Sequence, residues 1–80
     1  MKAKVYVTLK NGVLDPQGKA VQQALHHMDF KGVKDVRIGK LIELELNGTS
    51  RAQAEKDLTQ MCEKLLANTV IESYSFEVCE

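Results

Sequence analysis

From Lys4 to Lys10 the chain alternates, with Val5, Val7 and Leu9 on one side and Lys4, Tyr6, Thr8 and Lys10 on the other. That period of two predicts a half-buried strand. Asp15 and Pro16 then open a helix running to about Phe30, whose apolar stripe is Val21, Ala24, Leu25 and Met28. Val33 to Ile38 alternates again, with Val36 and Ile38 inward and Asp35 and Arg37 outward. Gly39-Lys40 suits a tight type II′ hairpin turn. A further strand covers Leu41 to Leu46, with Ile42, Leu44 and Leu46 inward. Asn47-Gly48 ends it, and Thr49 or Ser50 caps a second helix over about Arg51 to Ala67. The second helix carries Ala54, Leu58, Met61, Cys62 and Leu65 as its stripe, and Asn68 fits a left-handed C-terminal position. The last strand spans about Val70 to Cys79, with Tyr74, Phe76 and Val78 inward.

The order strand-helix-strand-strand-helix-strand predicts an α+β ferredoxin-like sandwich. Both helices lie on one face of a four-stranded antiparallel sheet, and the other face is bare. On that bare face fall Tyr6, Thr8, Arg37, Leu41, Glu43, Glu45, Ser73, Ser75 and Glu77. Tyr6 and Leu41 there stand among charges, which makes the face an interface candidate.

The 80 residues make one domain, 1–80, without linker or repeat. A chain of this size buries only about 60–65% of its unfolded surface, so oligomerisation is an expected source of added stability. Eleven basic residues balance eleven acidic ones, against the basic excess that nucleic acid or a membrane surface requires. No apolar run reaches membrane-spanning length, and the N-terminus enters a strand pattern at once; the expectation is a cytoplasmic protein. Cys62 and Cys79 are accordingly expected as free thiols.

The fold itself does not decide function, so each chemistry needs its own residues. RNA recognition needs paired aromatics in basic surroundings, but Tyr6 stands alone and the third strand offers Glu43 and Glu45. The first loop, Asn11-Gly12-Val13-Leu14, holds neither the two cysteines of a metal carrier nor the arginine of an acylphosphatase. His26 and His27 are adjacent and diverge by about 100°, so they read as solvated helix residues, not metal ligands. Cys62 reads as a small core residue. No catalytic set assembles, which leaves a binding or structural module. The stretch Gly12-Val13-Leu14-Asp15-Pro16-Gln17-Gly18 is the most informative part of the chain. Asp15 suits a helix N-cap and Pro16 the first helical position. Gly18 weakens the first turn without being needed for the cap, which points to a contact outside the domain.

Three segments carry a family resemblance: Val5 to Lys10 with Gly12 to Gly18; Val36-Arg37-Ile38-Gly39-Lys40 with Glu43-Leu44; and Met61 to Asn68 with Val70-Ile71-Glu72. Together they resemble the PurS family, the small subunit of multi-subunit phosphoribosylformylglycinamidine synthase (formylglycinamide ribonucleotide amidotransferase), over essentially the whole chain. The resemblance implies a non-catalytic subunit of a carbon–nitrogen ligase of purine (IMP) biosynthesis. It implies partners too: an ATP-dependent synthetase subunit, a glutaminase subunit and a second copy of the chain. In that complex the small subunit bridges the other two and aids ammonia transfer; ATP and magnesium are used by the complex, with no cofactor in this subunit. By the same resemblance, Gly12, Leu14, Asp15, Pro16, Gly18, Arg37, Lys40, Glu43 and, from the bare face, Tyr6 are assembly candidates. Met28-Asp29-Phe30 departs from the family's usual Leu-Gly-Phe; a left-handed Asp costs on the order of 1 kcal/mol against Gly. Thr69 stands where Pro is frequent in the family. The alternative from another class is a small ACT-like amino-acid-binding regulatory module, with Gly12 in the binding loop.

Overall fold

The computed structural model describes residues 1–48 and 50–79. Its elements are β1 (Lys2–Leu9), α1 (Pro16–His27), β2 (Gly39–Glu45), α2 (Arg51–Met61), a π-helical turn (Cys62–Leu66) and β3 (Glu72–Cys79). The strands form one antiparallel sheet in the order β2-β1-β3. Two backbone bonds lengthen the pairing at the ends, Leu46 N–H to Met1 O at 2.8 Å and Lys10 N–H to Ile71 O at 2.8 Å.

The alternation in β1 is obeyed strictly. Ala3, Val5 and Val7 are fully buried on the inner face, because β1 is the central strand and α2 lies over it. They meet Leu58, Cys62 and Ala67 from α2 and the segment after it, with Ile42, Leu44, Tyr74, Phe76 and Val78 around them. Burial of a Val or Leu side chain contributes about 1.5–3 kcal/mol, so this short core gives a modest stability. Ser50 caps α2 by accepting from Gln53 N–H at 3.2 Å; the alternative cap, Thr49, lies outside the described residues.

The four-stranded sandwich is corrected. Residues 33–38 form no strand, and the sheet among the described residues has three strands. Gly39 and Lys40 make no hairpin turn; they begin β2, where Gly39 pairs with Thr8. A Cβ at Gly39 would stand 2.5 Å from the Val7 carbonyl oxygen. Close strand approach, not turn geometry, explains that glycine.

Nor does α1 lie on the sheet. Among the described residues it makes no extensive packing with any other element, and only its Gly18 is buried. The expected stripe is therefore open: Val21, Ala24 and Met28 are exposed and Leu25 half-buried. The molecule is an elongated body of 50 × 26 × 14 Å with a radius of gyration of 16.0 Å. A compact chain of this length has about 12 Å. α1 and residues 28–38 thus form an arm standing off a small α/β body.

Two helix ends also differ from expectation. α1 stops at His27, and Asp29 takes the left-handed conformation at φ 71°. Phe30 N–H reaches Leu25 O at 3.0 Å and Asp29 N–H reaches His26 O at 3.1 Å, which is a Schellman ending with Asp in the place Gly favours. At the far end of α2 the chain widens into the π turn, closed by Ala67 N–H on Cys62 O at 3.1 Å. That widening rotates Leu65 off the core stripe, leaving it 82% exposed. Asn68 is not left-handed; its side chain accepts from Val70 N–H at 3.2 Å, a local turn that delays the last strand to Glu72.

Candidate interface at the neck of the arm

The chain leaves β1 through residues 10–15 and returns through 36–38, and these two crossings form a neck. Asp15 joins them. Its Oδ1 accepts from Gly18 N–H at 2.9 Å, the expected cap, and its Oδ2 accepts from Ile38 N–H at 2.8 Å. Both bonds favour the charged carboxylate, so Asp15 is held below its ordinary acidity range, chiefly by the Ile38 N–H, then by that of Gly18. Pro16 occupies the first helical turn.

Gly18 has its reason inside the chain. A Cβ there would stand 2.3 Å from Val36 O and 2.8 Å from Asp15 Oδ2. The helix therefore presses directly on the returning segment, and the glycine that looked surplus is the place of closest approach. Gly12 is at φ +87° in the turn after β1. Leu14 is 72% exposed beside it.

Arg37 does not lie on the bare sheet face. Its guanidinium reaches back to the end of β1, donating to the carbonyls of Leu9 and Lys10 and to Asn11 Oδ1. This planar fork fits several carbonyl acceptors at once, which a lysine could not do. On the inner side Lys40 pairs with Glu72 at 3.6 Å, while Glu72 also accepts from Asn68 N–H at 2.7 Å. Between them and Asp15-Pro16-Gln17 lies a shallow cavity of about 250 Å³.

The structure thus gathers Gly12, Leu14, Asp15, Pro16, Gly18, Arg37 and Lys40 around one neck. It separates Tyr6 and Glu43, which belong to the bare sheet face. There the register sets Lys4 between Glu43 and Glu77, and Tyr6 between Leu41 and Ser75. The Tyr6 hydroxyl donates to Glu77 Oε1 at 2.7 Å, and this bond to a carboxylate raises its pKa. Lys4 offsets one of its two Glu neighbours, so this cross-strand row keeps a net negative charge.

Two arm residues were missed as working parts. Gln22 Nε2 donates to Lys34 O at 2.8 Å, and the half-buried His26 ring lies 2.7 Å from Val33 O. Gly18, Gln22 and His26 are spaced by four, one row along α1. That row clips residues 33–36 to the helix, and its spacing was legible once a partner segment was sought. His26 is therefore a structural donor, not a solvated residue. Among the described residues no group of three or more His, Cys, Asp or Glu could hold a metal ion, and no helix is long and apolar enough to cross a membrane.

The chain is thus a small α+β body, a three-stranded antiparallel sheet with a projecting helix whose neck is held by Asp15 and Arg37. Residues 2–80 match the family model PurS, phosphoribosylformylglycinamidine (FGAM) synthase, and the chain belongs to that family. It is 58% identical over 79 residues to the FGAM synthase subunit PurS of Bacillus subtilis, covering 99% of this chain and 93% of that one. The Synechocystis subunit is 53% identical, covering 94% of this chain and 75% of its own. The crystal structure of the B. subtilis protein aligns with a TM-score of 0.87 over 99% of this chain and 98% of that one. A chain in the structure of PurLQS from Thermotoga maritima is 32% identical, with a TM-score of 0.86 over 95% and 93% of the two chains. A related structure, from Methanocaldococcus jannaschii, is described as one of the subunits of formylglycinamide ribonucleotide amidotransferase in the purine biosynthetic pathway. This family is the one that the three sequence segments resemble.

Proposed function

We propose that this chain is the non-catalytic assembly subunit of a cytosolic FGAM synthase in purine biosynthesis. It bridges the ATP-dependent synthetase and the glutaminase and keeps the path between them closed to water, so that ammonia passes without loss. ATP and magnesium act on the synthetase, outside this subunit. The observation that carries this reading is the likeness of nearly the whole chain to one chain of PurLQS.

In the same proposal the chain works as a homodimer. The arm supports this. Val21, Met28 and Phe30 are exposed along it, a cost the isolated chain has no means to recover. The body offers the matching vacancy. α2 leaves the β2 half of the inner sheet face open, and a groove of about 410 Å³ runs there between Leu44, Met61, Leu65 and Leu66. An apolar helix stripe and an apolar groove on one molecule, held apart by the neck, are satisfied when two copies each lay α1 on the other. This pairing is closed and isologous.

Size-exclusion chromatography of the three purified subunits, with glutamine and a magnesium nucleotide, tests the bridging role. One peak containing all three is expected, with the synthetase and glutaminase eluting separately when this chain is omitted. Co-elution of those two without it would end the bridging reading.

A further inference from the structure

We infer that Asp15 and Arg37 act together as the lock that holds the arm outstretched, and so commit α1 to a second copy instead of the chain's own sheet. The inference rests on the homodimer proposed above and adds what sets its direction.

The neck contains little free chain. After β1 ends at Leu9, α1 begins at Pro16; on return, only Ile38 separates Arg37 from β2. Arg37 is bound to the carbonyls of Leu9 and Lys10, so the returning crossing is fastened to the root of the outgoing one. Asp15 then fastens the first turn of α1 to Ile38 N–H at 2.8 Å. Further out, Gly18 against Val36, Gln22 on Lys34 O and His26 on Val33 O make the helix and residues 33–36 one unit. Hence the arm has one hinge zone, and both crossings of that zone are pinned to the body.

For α1 to fold back over its own β2, its axis would have to swing round at this neck. The Arg37 and Asp15 bonds cannot survive such a swing, because each ties the arm to the fixed root: Arg37, on the returning crossing, donates to the carbonyls of Leu9 and Lys10, and Asp15, at the start of α1, accepts from Ile38 N–H beside β2. Short, constrained hinges favour exchange of an element between copies, and longer or looser ones favour the closed monomer. The same groove of Leu44, Met61 and Leu65 receives α1 in either case; the lock decides whose α1 it is.

The test compares the intact chain with two variants by sedimentation equilibrium and far-ultraviolet circular dichroism. One is Asp15→Ala with Arg37→Ala. The other inserts Gly-Ser-Gly-Ser between Asn11 and Gly12, an exposed turn where a Cβ on Gly12 would meet nothing within 4 Å. The intact chain is expected as a dimer of the 9.0 kDa protomer. Both variants are expected to keep its helical signal while their dimer dissociation constant rises about tenfold or more, the double variant through its lost charge-assisted hydrogen bonds and the insertion variant through a hinge long enough for α1 to reach its own sheet. If the double variant loses its helical signal, the insertion variant alone decides. A dimeric intact chain with an unchanged dissociation constant in a folded variant overturns the lock and leaves the dimer standing. A monomeric intact chain overturns the dimer, and the lock with it.

Discussion

Replacing Gly18 by alanine sets two effects against each other. Gly in a helix is worse than Ala by about 1 kcal/mol, so the exchange gains up to that amount if there is room. There is none: the new methyl would stand 2.3 Å from Val36 O and 2.8 Å from Asp15 Oδ2. The nearer atom is backbone and cannot rotate aside, and the farther one belongs to the carboxylate that holds Ile38 N–H. Overpacking of this kind costs about 1–3 kcal/mol, and a backbone neighbour argues for the upper end. The balance is a loss of about 2 kcal/mol, or roughly 8–16 °C in melting temperature for a domain of this size. Gly32→Ala is the control, since nothing lies within 4 Å of its added Cβ and its φ is not positive; it is expected to be neutral or to stabilise by about 0.4–1 kcal/mol. Both are read by thermal unfolding followed by circular dichroism at one fixed protein concentration, because association adds to apparent stability. A Gly18→Ala protein that melts at or above the intact chain would refute the close approach of α1 to residues 33–36.

Other consequences follow from the same contacts. Because Asp15 titrates lower in the folded chain than its ordinary value of 3.8, its stabilisation is complete above that value and is lost as pH falls toward the folded one. The acid limb of a stability–pH profile should therefore be shallower in Asp15→Asn; parallel limbs would contradict the Ile38 and Gly18 bonds. Leu58→Ala opens a cavity at a fully buried core position and should cost about 2–5 kcal/mol in urea unfolding, whereas a cost under about 1 kcal/mol would mean the core is loosely built. Cys79 is exposed, while Cys62 is buried and its thiol pKa raised by that burial. One thiol should react promptly with a thiol reagent in the native protein and the second only on unfolding; two prompt thiols would place Cys62 at the surface.

What the residue pattern reveals depends on how local the cause is. β1 was legible because a central strand with one covered face must alternate, and Val5 and Val7 do so. The Asp15-Pro16 start of α1 was legible because a cap is made within one turn. The path of the arm was not. Periodicity says that Val21, Leu25 and Met28 share a face of α1, but it does not say whether that face meets its own sheet or another molecule. For the same reason residues 33–38 carry strand alternation without pairing: the side of the chain that α1 clips is set by Gly18, Gln22 and His26, residues that a search for apolar stripes passes over. Gly39 was misread because a glycine for close strand approach and a glycine for a tight turn look alike in sequence. The exposure of Leu65 depends on a π turn, and the residues Cys62 to Leu66 satisfy an ordinary α-helical stripe equally well.

The proposed role of the chain is to join two activities and perform neither. It is tested most directly by assaying formation of formylglycinamidine ribonucleotide from synthetase and glutaminase, with and without this chain, supplying nitrogen either as glutamine or as a high concentration of ammonium. Omission is expected to abolish the glutamine-dependent reaction and to leave the ammonium-dependent reaction intact. Undiminished glutamine-dependent synthesis without the chain, or loss of the ammonium-dependent reaction along with the other, would contradict the account.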